Sequence, residues 1–278
     1  MAAWDDATER LGGPPVSVTL SGSSGRMIQI EGVTRPVIGL REGVQRGWAL
    51  VHGVSERLDD GRAHAVAPGA LNAVDLERID TAAIEQVLAV LPPAQVQDRP
   101  PLLFLPMALA TARNPRARKR ILRMVAEAEP RLRMVAICEL YGIERGSPVS
   151  VLREVAGALR PIFRGALPHM GADSRSVAQV VDCGFSGAAV EAGELTEARD
   201  EEAMLRTVLS LQRVGPGVMF HGVRSVGSLT AVRVAGASWA SLDILTGGVE
   251  AARLAAQMAA PKETAARSPR PPLVLENA

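Results

Sequence analysis

The chain has 278 residues and carries 31 Lys+Arg against 30 Asp+Glu, for a formal net charge of +1. That balance leaves no electrostatic footprint for nucleic acid or an anionic membrane, and 3% aromatic residues offers few platforms for stacked bases. The length suits one large domain, or two, and a (β/α) barrel commonly needs about 250 residues. Cys138 and Cys183 stand in separate apolar contexts, with neither zinc-motif spacing nor a disulfide framework, so a reducing cytoplasm is expected. The opening Met-Ala-Ala-Trp-Asp-Asp lacks a basic stretch followed by an apolar one, so no signal peptide is expected. No run of about 18 apolar residues suggests a membrane span.

Residues 1–24 are rich in Gly, Ser, Pro and Asp and read as a loose lead-in. Met27 to Ile30 and Arg35 to Leu40 read as short strands joined by Glu31 to Thr34, with Gly43 turning the chain into Gly47–His52. Asp80 reads as an N-cap ahead of Ala83, Ile84, Val87, Leu88 and Leu91, and Pro92-Pro93 ends that helix. Leu102 to Pro106 is apolar on both faces, as a buried parallel strand is. Pro115 opens a helix with an Ile121, Leu122, Val125, Ala128 stripe, and Arg131 to Leu140 follows as a strand.

Ser147-Pro148 starts the next helix, Phe163 to His169 is a strand, and Asp173 caps a short helix that Gly184 ends. Ala188 to Val190 is a brief strand, Asp200 begins a helix, Val218 to His221 is a strand, and Ser225 begins a helix. Trp239 to Leu245 is the last strand, followed by a helix around Glu250 to Met258 and a flexible tail over 260–278. Repeated strand–helix alternation points to a parallel sheet closed as a (β/α)8 TIM barrel over residues 25–259, with allowance for a modified first strand. Chemistry in such a barrel sits at the C-terminal strand ends.

Several segments in order resemble the EAL domain, the cyclic-di-GMP phosphodiesterase barrel. Arg35-Pro36-Val37-Ile38-Gly39-Leu40 looks like its opening "QPIVDL", and Gly47-Trp48-Ala49-Leu50-Val51-His52 like a shortened "GYEALVR". Ala67 to Leu71 is similar to "SPAEFI", and Phe220 to Ser225 to "AEGVET". The resemblance implies a bacterial role in motility, biofilm or cell-cycle signalling, and admits a homodimer.

Hydrolysing members hold two divalent cations with carboxylates and an Asn, and the metals activate a water. Matched residue by residue, this chain has Trp48 for the Glu of the second motif and His52 for its Arg. It has Leu105-Pro106-Met107-Ala108 for the Asn strand and Pro168-His169-Met170-Gly171 for "DDFG". Ala189 stands for the Lys, His221 and Arg224 for the two Glu of "EGVE", and Ser241 near the closing Gln. Glu139, or Ile137 two residues earlier, stands on the "LEITE" strand. The resemblance therefore implies a site without hydrolysis, and His52 in place of Arg weighs against cyclic-di-GMP binding.

The expected remnant pocket is Trp48, His52, Glu139, His169, His221 and Arg224, with no catalytic residue and no cofactor. Converging His52, His169 and His221 would make a metal site with an open position; polar filling of a barrel mouth is the simpler reading. Arg116, Lys119, Arg120 and Arg123 form a basic helix face, read as solvated or as a docking surface for a protein partner. The leading expectation is an inactive barrel working through an unidentified protein partner. A non-hydrolysing nucleotide sensor and a divergent metal enzyme are the alternatives.

Overall fold

The computed structural model describes residues 16–23, 25–57, 62–66, 68–90, 100–132, 135–195 and 201–242. The strands are β1 (Val16–Ser21), β2 (Met27–Gly39), β3 (Val44–Arg57), β4 (Ala63–Ala65), β5 (Leu102–Ala108), β6 (Val135–Tyr141), β7 (Gly165–Pro168), β8 (Gly187–Glu191), β9 (Gly217–Val223) and β10 (Trp239–Leu242). The α-helices are α1 (Ala73–Val90), α2 (Leu109–Arg113), α3 (Pro115–Leu132), α4 (Val149–Leu159), α5 (Ser174–Val180), α6 (Glu201–Gln212) and α7 (Val226–Val234).

The strands run β7-β6-β5-β3-β2-β10-β9-β8 around the sheet. A parallel bridge between His169 and Ala189 joins its two ends, supported by Ser186 N–H to Ala166 O at 2.9 Å and Met170 N–H to Ala189 O at 3.0 Å. The result is a TIM-type barrel, as expected. It is not wholly parallel: β2 runs antiparallel to both β3 and β10. A tight turn at Gly43 (φ +70°) makes β2 and β3 a hairpin, and a hairpin cannot be parallel.

Two strand expectations are corrected. Val16–Ser21 is not loose but pairs with Met27–Gly32 as an outer strand. Met27–Ile30 and Arg35–Leu40 are one continuous strand, because Glu31 to Thr34 pair residue for residue with Gly53 to Leu50. That ladder satisfies the backbone groups a loop would have left to water.

Helix α1 begins at Ala73, and its first amides are capped by Asn72, whose Oδ1 accepts from Val74 N–H and Asp75 N–H at 3.0 Å each. Asp80 is therefore not a cap but a buried residue within the helix. Helix α3 continues through Leu132, so the next strand starts at Val135 rather than Arg131. Asp173 and Ser225 cap α5 and α7 as expected. Asp200, the helix around Glu250 to Met258 and the tail over 260–278 lie outside the described residues.

The sheet separates two apolar layers with a period of two. Leu103, Leu105, Cys138, Leu140, Val190 and Phe220 point outward against helix residues such as Ile84, Ile121, Val155 and Val208. Val37, Ala49, Phe104, Ile137, Leu167, Ala189 and Met219 fill the barrel interior. At its N-terminal end neighbouring strands approach closely: a Cβ on Gly187 would stand 1.7 Å from Gly217 O, and one on Gly47 1.9 Å from Leu102 O.

Candidate functional site

The same period of two builds the site. On five strands a polar residue comes two positions beyond an interior apolar one, toward the mouth: Glu139 after Ile137, His169 after Leu167, Glu191 after Ala189, His221 after Met219, Ser241 after Trp239, whereas Val51 and Pro106 take that place after Ala49 and Phe104. On the reversed strand β2 the corresponding residue precedes, placing Arg35 before Val37. Five parallel strands and one antiparallel strand thus present polar side chains to one level of the barrel.

His221 and Glu139 are 2% and 3% exposed, with Nε2 and Oε1 2.9 Å apart. The other His221 nitrogen, Nδ1, lies 3.1 Å from Ser241 Oγ, which also accepts Gly222 N–H at 3.2 Å. The His169 ring stacks on the His221 ring at 5.3 Å and 9°. His169 Nε2 lies 3.4 Å from Glu191 Oε1. Single ligand atoms of Glu139, His169 and His221 all lie within 4.8 Å of one another.

Burial by itself would lower the pKa of His221. The charge of Glu139, its hydrogen bond and the nearby Glu191 outweigh that and leave it raised, with Arg35 opposing them. Gly222 adopts φ +69°, and a Cβ there would meet Glu191 Oε2 at 3.4 Å and an Arg35 guanidinium nitrogen at 3.6 Å.

The other expected pocket residues lie elsewhere. Trp48 packs in the outer layer between sheet and helices, while its neighbour Ala49 takes the inward place. A register shift between Val37 and Ile38 sits opposite this stretch of β3. His52 stays outside the Glu139–His169–His221 group. Its ring meets the edge of Tyr141 at 5.8 Å, and burial lowers its pKa to about 4. Tyr141 Oη donates to Asp80 Oδ1, while Asp80 Oδ2 accepts Ala108 N–H at 2.9 Å. Arg224 is exposed beyond the end of β9.

Cys138 is fully buried and burial pushes its thiol well up, as in an inert core cysteine. Arg116, Lys119, Arg120 and Arg123 lie on the exposed face of α3, with Arg120 3.5 Å from Glu85.

Sequence reasoning did not single out Arg35 or Glu191 as site residues, and reached Ser241 only through the resemblance. The signal was present in the alternation: each lies two positions from an interior apolar residue.

No protein-family model matches this chain, and no curated protein is similar in sequence. Solved structures are similar in fold. The EAL domain of FimX from Pseudomonas aeruginosa, bound to c-di-GMP, matches at TM-score 0.54 and 14% identity, covering 88% of this chain and 94% of that one. The Bacillus subtilis YkuI protein, whose EAL domain is complexed with c-di-GMP and calcium, matches at 0.55 and 13%, covering 74% and 52%. Vibrio cholerae LapD, as its apo S helix–GGDEF–EAL form, matches at 0.57 and 12%, covering 78% and 53%. The matched region is about half the length of the YkuI and LapD chains. This chain has the fold of the EAL domain.

The mouth does not fit a pair of hard cations. Magnesium, manganese and calcium take mainly oxygen donors. Among the described residues the inner face offers two carboxylates, Glu139 and Glu191, and each faces an imidazole.

Proposed function

We propose that this chain is a regulatory module of cyclic-di-GMP signalling that does not hydrolyse the dinucleotide by two-cation chemistry. The observation that carries the reading is the His221–Glu139 contact. The buried carboxylate best placed to hold a hard cation is held at 2.9 Å by an imidazole that Ser241 backs. Pro106, His169 and Ser241 stand at further positions where the resemblance calls for oxygen ligands or a side-chain amide.

In this reading the barrel acts in the cytoplasm through a protein partner or a second copy of itself. The exposed basic face of α3 suits an acidic partner. The test is product analysis after incubating the full chain with cyclic-di-GMP and Mg²⁺ or Mn²⁺. Turnover above the blank that Glu139→Ala abolishes would overturn the proposal.

A second reading, a sensor that binds the dinucleotide uncleaved, is favoured by Arg35. Its guanidinium stands at the mouth beside Gly222, where phosphate oxygens would meet it. Calorimetry with cyclic-di-GMP tests it: saturable heat that Arg35→Ala removes is expected, and no heat at high protein concentration rejects it.

A further inference from the structure

We propose that Glu139, His169 and His221 form a binding site for one transition-metal dication of the zinc class. The three donors come from different parts of the chain: β6, the residue after β7, and β9. The barrel nevertheless brings their ligand atoms within 4.8 Å of one another. Zinc–nitrogen and zinc–oxygen bonds are about 2.0–2.2 Å, so two ligand atoms on one tetrahedral ion lie about 3.3 Å apart. The 2.9 Å between His221 Nε2 and Glu139 Oε1 has to open by a few tenths of an ångström, and the widest pair, within 4.8 Å, has to close by about 1.5 Å.

The surroundings of His221 suit a ligand. A metal-binding imidazole donates its other N–H to an oxygen, which fixes the tautomer. Ser241 Oγ, 3.1 Å from Nδ1, is that oxygen, and with a metal bound Nδ1–H donation to it would leave Nε2, which otherwise donates to Glu139, free to give its lone pair to the ion. Ser241 is itself fixed by Gly222 N–H at 3.2 Å. His169 supplies the second nitrogen once its partly exposed ring turns out of the stack with His221, because the in-plane lone pairs of parallel rings do not converge on one ion.

Glu191 completes the geometry. Its Oε1 is 3.4 Å from His169 Nε2 and its side chain is 46% exposed, so it stands on the solvent side of the triad. There it can fill the fourth position or accept a proton from a water bound there. Two imidazoles with one carboxylate select zinc, cobalt, nickel or iron over magnesium and calcium. His52, which its place at a strand end grouped with the other two histidines, takes no part.

The test uses the full chain, stripped with a chelator and titrated separately with Zn²⁺, Co²⁺ and Mg²⁺. One Zn²⁺ per chain is expected by elemental analysis. Co²⁺ should give the visible absorption of a tetrahedral site, abolished by added Zn²⁺ and unaffected by Mg²⁺.

His169→Ala removes a ligand that is 30% exposed and should leave folding intact by circular dichroism. It should weaken Zn²⁺ binding by more than about 100-fold, since losing even an outer partner costs about 10–100-fold. Ser241→Ala should weaken it about 10-fold. His64→Ala, on exposed β4, should change nothing. No saturable uptake of Zn²⁺ or Co²⁺ overturns the proposal, as does uptake that persists unchanged in His169→Ala.

Discussion

His221 and Glu139 are 82 residues apart in sequence, yet Nε2 and Oε1 meet at 2.9 Å in the barrel interior. Neither is more than 3% exposed. Removing one side of a buried hydrogen-bonded pair strands the other, so Glu139→Ala should cost about 3–5 kcal/mol. Glu139→Gln keeps an amide oxygen that accepts from Nε2–H and should cost less. Urea unfolding of the metal-free variants measures both, and an equal cost would show that hydrogen bonding at Nε2 contributes little.

Asp80 and His52 flank Tyr141 and should give opposite pH responses. Burial raises the Asp80 carboxyl from 3.8 to about 6, although the hydrogen bonds from Tyr141 and Ala108 pull it down. Its stabilising contribution is then full below about pH 4 and lost by about pH 6, a loss on the order of 3 kcal/mol. His52, lowered from 6.5 to about 4 by burial, contributes above pH 6.5 and loses that contribution as pH falls toward 4. Stability measured against pH should therefore rise toward pH 6 in Asp80→Asn relative to the parent, and fall toward pH 6 in a His52→Gln variant relative to the parent. Parallel curves for parent and variants would refute both.

Gly187→Ala should be severely destabilising. Its new Cβ would meet the Gly217 carbonyl at 1.7 Å, and the atom in the way is backbone rather than a movable side chain. A loss of at least about 3 kcal/mol, or failure to fold, is expected by thermal denaturation. Gly157→Ala in helix α4, where a Cβ meets nothing within 4 Å, should be neutral or stabilising by up to about 1 kcal/mol.

The basic face of α3 should be dispensable for folding. Arg120 and Glu85 form an exposed pair at 3.5 Å, with side chains 59% and 54% exposed. Arg120→Ala should change stability by less than about 1 kcal/mol. A pull-down with the full chain should lose its partner when Arg116, Lys119, Arg120 and Arg123 are changed to Glu, while the melting temperature holds. Unchanged capture would remove this face from the proposed function.

Local rules carried the elements whose signals are local. Asp173 and Ser225 announced their helices because a cap needs only the next few amides. The Ile121, Val125, Ala128 stripe lay on α3 as its spacing required. Asp80 misled for the opposite reason. A carboxylate ahead of an apolar helical pattern looks like a cap, and only contacts 28 and 61 residues away make it a buried group. Trp48 misled because motif matching aligns letters, whereas the β2–β3 ladder decides which side chain faces inward. Glu191 and Arg35 were overlooked although the period of two placed them, because Arg35 was matched only as the first letter of a strand motif and Glu191 only as the residue two beyond the one matched to the Lys.

The reversed strand β2 has a kinetic side. Its hairpin with β3 is local, so that pairing is entropically cheap to form. Its other edge waits for β10, with Ser241 opposite Val37 across some 200 residues of chain. That long-range pairing delivers Ser241 to His221. The polar mouth is thus assembled by the longest-range step of folding. A chain stalled before that pairing would carry its two stacked histidines without the hydroxyl that orients one of them.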